Sequence, residues 1–332
     1  MERKQSSVAV YGAGGHTGRF VVAELRRRSI PVVAVGRDST RFPPGVLGRV
    51  AELNDQTALK MAFEGCAVVI NCAGPFLDSA EPVVTAALGA GCSYLDVTAE
   101  QASAKATLDM FDGAAVQAGV VVIPAAGFYG GLADVLATVL VDDGRVEEIT
   151  TAVALDHWWP TEGTRRTGER NNVPRVVVEG GELVPLPTPA SRIDWVFASP
   201  HGRQVVVELP FSEIITLSRH LPASRIRSFL GENALSDVRN EGTPAPTAVD
   251  QAGRSAQQFA MEVVAVGKYG TRRAIAQGQD IYAVSAPLVA EAAERILSSS
   301  FRRSGALTLG QAFDARDFLA ALSPTPFAVS IE

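Results

Sequence analysis

The chain is poor in the residues that mark several common kinds of chemistry. Its 332 residues include three cysteines. Cys66, Cys72 and Cys92 are an odd number without the C-x-x-C spacing of a zinc or redox site, and they read as reduced core residues of a cytoplasmic protein. No His, Cys, Asp or Glu cluster has metal-ligand spacing, so no metal is expected. The beginning, MERKQSSVAVYG, has charges but no apolar run of signal-peptide length, which argues against export. The longest apolar stretch, VVVIPAAGFYGGLADVLATVLV, is interrupted by Pro124, three glycines and Asp134. It reads as strand, loop and helix, not as a membrane span. A net charge of −6 supplies no field for nucleic acid or an anionic membrane, so phosphate recognition falls to local basic sites. There is also no Tyr-x-x-x-Lys pair after the fourth or fifth strand, which disfavours a short-chain carbonyl reductase.

What is present is an ordinary globular composition, 47% hydrophobic and 20% charged with 30 Gly and 19 Pro, over a length suited to two domains. In the first half, short β-branched runs beginning at Val8, Val32, Val50, Ala67, Tyr94 and Val120 alternate with helix-compatible stretches at 17–28, 57–64, 81–90 and 100–117. That rhythm predicts an α/β Rossmann domain, a doubly wound parallel sheet. After Pro124 come RVVVEGGELVPL, WVFASPHGRQVVVEL and FAMEVVAVGKYGTRRAIAQG, with turn candidates at Gly180-Gly181, His201-Gly202 and Tyr269-Gly270. These predict a second α+β domain with a mostly antiparallel sheet. EGTPAPTAVDQAGRSAQ reads as a surface loop. Helical spacing returns in APLVAEAAERIL, which is expected to pack back on the first domain. The expected division is a dinucleotide-binding domain at 1–127 and 281–332, and a substrate and dimerisation domain at 128–280.

The segment VAVYGAGGHTGRFVVAEL is a strand, a glycine-rich turn and a helix. Gly12, Gly15 and Gly18 let backbone amides approach a pyrophosphate while the helix N-terminus faces its charge, with His16 and Thr17 lining the same turn. The alternative is a tight turn without a ligand. About twenty residues on, where NAD-specific proteins place an acid, the first charged residue is Arg37, with Arg41 nearby. A guanidinium suits a 2′-phosphate, so NADPH is expected as cofactor and NADH is less favoured; Asp38 turned toward the ribose would reverse this. The fourth strand runs into VVINCAGPF. There Asn71, Cys72, Ala73, Gly74 and Pro75 are placed to border the nicotinamide ribose and Phe76 to wall the substrate pocket, unless this is only a β-to-α turn.

These segments, together with AVGRD, EPVVTAALGAGCSYLDVTAE, AAGFYGGLAD, SRHL, GQDIYAVSAP and SGALTLGQAFDARDFLAAL, resemble the saccharopine dehydrogenase-like reductases, including their trans-acting enoyl reductase branch. The resemblance spans nearly the whole chain. It implies a split first domain, nicotinamide-nucleotide binding, and cofactor roles for Gly12, Gly15, Gly18, Arg37, Asn71, Gly74 and Pro75. The group acts on both C–N and C=C bonds, so the resemblance does not fix the reaction. GFYGGLAD departs from the pattern of many relatives, which have Asp and Pro between the Gly and the final Asp.

A hydride reductase needs a substrate stacked on the nicotinamide and a proton source. His157 and Tyr129 are the candidate catalytic residues. Trp158, Trp159, Arg165 and Arg166, from ALDHWWPTEGTRRTGERNN, are candidate substrate-binding residues for an anionic or planar molecule, although paired tryptophans also serve as core and arginines as solvated surface. The expected activity is NADPH-dependent reduction of a C=C or C=N bond in a small metabolite or carrier-bound intermediate. An amino-acid-type C–N dehydrogenase and a catalytically silent NADP-binding regulator are the alternatives. A small-molecule substrate and a homodimer are expected, with no nucleic-acid or membrane partner.

Overall fold

The computed structural model describes residues 7–141, 146–268, 270–323, 325 and 327–332. Six strands of the first half, β1 (Ser7–Tyr11), β2 (Val32–Gly36), β3 (Leu47–Val50), β4 (Cys66–Asn71), β5 (Ser93–Asp96) and β6 (Val121–Ile123), pair in parallel in the order β6-β5-β4-β1-β2-β3. Alternate residues face opposite layers. Val8, Val10, Val68 and Ile70 pack with the helices His16–Arg27 and Ser285–Leu297, and Ala9, Val33 and Val69 pack with Gln56–Phe63, Phe76–Gly89 and Gln101–Ala118. The order of connection reverses between β1 and β4, so the turns leaving these two strands lie side by side, where ligands of such sheets bind.

Two elements begin elsewhere than their residues suggest. Val50 ends β3 instead of opening it. This edge strand exposes Leu47 and Val50, so no apolar alternation marks its start. The third helix begins at Phe76, five residues before the expected 81, because the Glu100 carboxylate accepts the Phe76 and Leu77 amides at 2.7 and 3.1 Å. A cap supplied from 24 positions away leaves no side-chain cap on the N-cap residue itself, Pro75.

The second sheet comprises β7 (Val146–Leu155), β8 (Val176–Glu179), β9 (Glu182–Pro185), β10 (Arg192–Val196), β11 (Arg203–Glu208), β12 (Ala223–Gly231), β13 (Gln258–Gly267) and β14 (Gly270–Gln279). β7 and β12 pair in parallel and the other pairs are antiparallel. Gly180, Gly181 and Gly202 take positive φ at the expected hairpin turns, which a side chain would strain; Tyr269 lies outside the described residues.

The chain then returns to the first domain. Arg28 donates to Glu24, Glu291 and Glu294 at 2.8, 2.5 and 2.7 Å, fastening helix Ser285–Leu297 to helix His16–Arg27. β15 (Gly305–Ala306) extends the first sheet beside β6. β16 (Phe327–Ile331) differs from the expected boundary by pairing antiparallel with β14. It covers that strand's edge and buries Phe327, satisfying backbone groups the edge would otherwise leave open. Among the described residues no helix is long and apolar enough to cross a membrane.

Candidate functional site: an interdomain cleft beside a glycine-rich turn

The turn after β1 is shaped by what its glycines exclude. Gly12 has φ +82°, and a Cβ there would come within 3.0 Å of Ala73 in the turn after β4. A Cβ on Gly18 would sit 2.1 Å from the Gly12 carbonyl oxygen, so this glycine lets the helix pack on its own turn. Gly15 serves the outer side. Its Cβ would meet only the Gly12 oxygen, at 3.1 Å, among the described residues. It caps helix His16–Arg27 without a side-chain hydrogen bond, and the first turn carries no acid. Open amides at a positive helix end beside a side-chain-free surface fit a pyrophosphate.

At the end of β2, Arg37 and Arg41 are exposed. Asp38 is turned into its own chain: its carboxylate accepts the Thr40 amide at 3.0 Å and the Thr40 hydroxyl at 2.6 Å, bonds that hold its pKa below the usual carboxylate range. A Cβ on Gly14 would touch Arg41 at 2.8 Å, so the short helical turn Ser39–Arg41 rests against the glycine turn.

At the end of β4, Asn71 is fully buried. Its carbonyl accepts the Ala73 amide (3.0 Å) and its amide donates to Ser79 (3.1 Å) and the Tyr94 hydroxyl (3.2 Å). Tyr94 in turn donates to Asp96 (2.9 Å), which accepts the Thr98 and Ala125 amides (3.0 and 2.7 Å). Asn71 therefore shapes the turn from inside. Burial raises the Asp96 carboxyl to about 6 and pushes the Cys72 thiol up. Pro75 caps helix Phe76–Gly89.

A cavity of about 750 Å³ starts at Thr17, Cys72 and Gly74 and runs between the domains. Helix Glu162–Arg170 covers its entrance, with Thr167 Oγ1 only 3.1 Å from where a Gly74 Cβ would be. Phe76, Tyr129, Trp158 and Arg165 line it. Trp158 is held by the Tyr282 hydroxyl (3.0 Å from Nε1) and by Asp237 on its backbone amide (3.0 Å). Tyr129 stacks on Phe211 at 4.2 Å. Its hydroxyl is buried without a hydrogen-bond partner among the described residues, and burial holds its pKa well above the ordinary phenol value.

His157, Trp159 and Arg166 are not brought to this cavity. Asp156 accepts both the His157 and the Gln258 amides (2.7 and 2.8 Å), pinning the turn so that Trp158 points inward and its neighbours outward. His157 is exposed, 3.5 Å from Asp237, and stacks on Trp159. Arg166 pairs with Glu162 on the surface. His16 packs edge-on against Phe20 and Tyr282, and burial lowers its pKa.

Residue patterns missed Tyr282, Phe211, Arg175 and Glu100, all of which line the cavity. Tyr282 lies in the GQDIYAVSAP segment, which carried a signal. Arg175 sits alone before an ordinary strand and carried none.

A family model described as NAD(P)H-binding matches residues 12–159. A probable mitochondrial saccharopine dehydrogenase-like oxidoreductase of Arabidopsis thaliana is 28% identical over 142 residues, 36% of this chain and 31% of that protein. The human saccharopine dehydrogenase-like oxidoreductase is 26% identical over 155 residues, 38% of this chain and 35% of its own. The chain spans about a third of the length of these curated relatives. In fold it is similar to the saccharopine dehydrogenase (L-Glu forming) of Saccharomyces cerevisiae, at TM-score 0.68 and 13% identity over 98% of this chain and 99% of that one.

Proposed function

We propose, starting from a saccharopine dehydrogenase-like NAD(P)-binding chain, that this protein is an NADPH-dependent oxidoreductase reducing a C=C or C=N bond in a small metabolite or carrier-bound intermediate. The observation that carries the reading is the single cavity joining the glycine turn and the end of β4 to the aromatic wall of the second domain. A regulator that only sensed nucleotide would have no use for a cleft walled by Phe76, Tyr129, Trp158 and Phe211 at that end.

Gly12, Gly15 and the first helical turn would hold the pyrophosphate, and Arg37 with Arg41 the 2′-phosphate, since Asp38 is occupied by Thr40. Ala73 and Gly74 would border the nicotinamide ribose. When bound, the reduced nicotinamide supplies a hydride. The residues of this chain supply the rest. Trp158, fixed by Tyr282, and Phe76 orient a planar substrate. Helix Glu162–Arg170 excludes water from the entrance. Tyr129 holds a proton, because burial keeps its phenol un-ionised, and donates it to the second atom of the reduced bond, with the proton replaced from solvent.

The second reading, an amino-acid-type C–N dehydrogenase, is favoured by the arginines on the cavity wall, which suit carboxylates, and by the fold shared with the yeast enzyme. NADPH-consumption assays with parallel panels of enoyl and imine substrates decide between them. Turnover of an enoyl compound supports C=C reduction, turnover confined to imines supports the second reading, and no turnover by a protein that binds NADPH counts against both. A cytoplasmic location accompanies this reading, supported by three cysteines that form no disulfide with one another.

A further inference from the structure

The wall of the cavity is not uniform from end to end. Its acids are Glu100, Glu169 and Glu241. Both oxygens of Glu100 are taken by the Phe76 and Leu77 amides, and Glu169 and Glu241 are exposed at the rim. Deeper in, the lining is aromatic and aliphatic: Tyr129, Trp158, Phe211, Leu209 and Leu235. Three arginines line the cavity: Arg239 is exposed, Arg165 donates to the Thr243 carbonyl (2.7 Å), and Arg175 stands among the rings, its guanidinium 4.8 Å from the centre of the Phe211 ring. One of its nitrogens donates to the Pro210 carbonyl, and it has no ion pair among the described residues. Burial disfavours the charged form of Arg175 and the nearby Glu213 partly offsets this; Glu213 accepts the Phe211 amide (2.8 Å) and does not line the cavity. A guanidinium stays protonated at neutral pH even when buried, and with one hydrogen bond, to Pro210, among the described residues most of its donors are open.

Resting on the reductase reading above, we infer that the deep end of the cavity is a monoanion subsite in which Arg175 binds one carboxylate-sized group of a substrate whose body is apolar and planar. A guanidinium with free parallel donors matches a carboxylate, and the aromatic rings beside it match an aryl or alkenyl body. An α-ammonium group placed there would meet Arg175, and no acid lines that end of the cavity among the described residues, so zwitterionic amino acids are poor occupants. An anion held on Arg175 also places the adjoining atoms beside Tyr129, whose ring shares the Phe211 contact.

The test uses the full chain saturated with NADP⁺ and three probes of one carbon skeleton: trans-cinnamate, neutral cinnamamide and zwitterionic L-phenylalanine, each titrated by calorimetry. Cinnamate is expected to bind at least about tenfold tighter than the other two, the step that a charge-assisted pair supplies. Arg175→Gln should erase the preference for cinnamate over cinnamamide, and Arg175→Lys should restore part of it. Both variants should keep wild-type NADPH affinity, which shows that they are folded. L-phenylalanine binding as tightly as cinnamate, an undiminished preference in Arg175→Gln, or no binding of any probe by NADP⁺-saturated protein would overturn the inference. A wild-type chain that binds no nicotinamide nucleotide would instead strike down the reductase reading, so the two failures are distinct.

Discussion

Arg37→Ala removes the cation that separates the two nicotinamide nucleotides while leaving the surrounding turn in place. The turn is held by Asp38, whose carboxylate bonds to Thr40 do not involve Arg37, and by the contact of Arg41 with the glycine turn. A charge-assisted hydrogen bond from a guanidinium to a phosphate is worth about 1.5–3 kcal/mol, or about 10- to 150-fold in affinity. Arg37 is exposed, so water and salt screen the contact and put the expected loss near the lower end, about tenfold at 0.15 M ionic strength. NADH has no group at that position, and its affinity should change by less than about twofold. The assay is a fluorescence titration of both nucleotides against wild type and variant at two salt concentrations. The wild-type preference for NADPH should itself shrink as salt rises. Equal wild-type affinities, or an equal loss of both nucleotides in the variant, would refute the reasoning.

Three further substitutions report on other parts of the site. Gly15→Val points a branched side chain into the open side of the turn and crowds only the Gly12 oxygen, so nucleotide binding should fall beyond detection in a titration while far-UV circular dichroism stays native; unaltered binding would make the turn purely structural. Tyr129→Phe removes a hydroxyl that has no hydrogen-bond partner among the described residues, so thermal stability and NADPH affinity should hold while kcat drops about a hundredfold; a wild-type kcat would remove Tyr129 as the proton donor. Asp96 has a folded-state pKa raised from 3.8 to about 6 by burial, so its stabilising contribution is present below about pH 4 and is lost as pH rises through 6. About two pKa units correspond to roughly 3 kcal/mol at most. Asp96→Asn should therefore flatten this part of the stability profile between pH 4 and 7 in urea melts, and a profile identical to wild type would show that Asp96 does not titrate in this range.

The arrangement of the first sheet and the glycine turn was legible in the residues themselves, because the signals there are local. β-branched runs at Val8, Val32 and Ala67 followed by amphipathic helices predict parallel strands, and glycines at 12 and 18 follow from the close approach of helix and turn. The hairpins at Gly180-Gly181 and Gly202 were legible for the same reason, since a turn needing positive φ must name its residue nearby.

What the tertiary structure alone decided depends on contacts between residues far apart in the chain. The start of helix Phe76–Gly89 depends on Glu100, the inward turn of Trp158 on Asp156, Asp237 and Tyr282, and the return of β16 to β14 on the edge that β14 leaves open in the second sheet. His157 and Trp158 are adjacent and chemically equally suited to a pocket, yet one lies on the surface and the other on the cavity wall. A one-residue change of phase in an extended chain reverses the side to which each side chain points, and that phase is set by Gln258 sharing Asp156 with His157, a partnership 102 positions apart that no local pattern encodes.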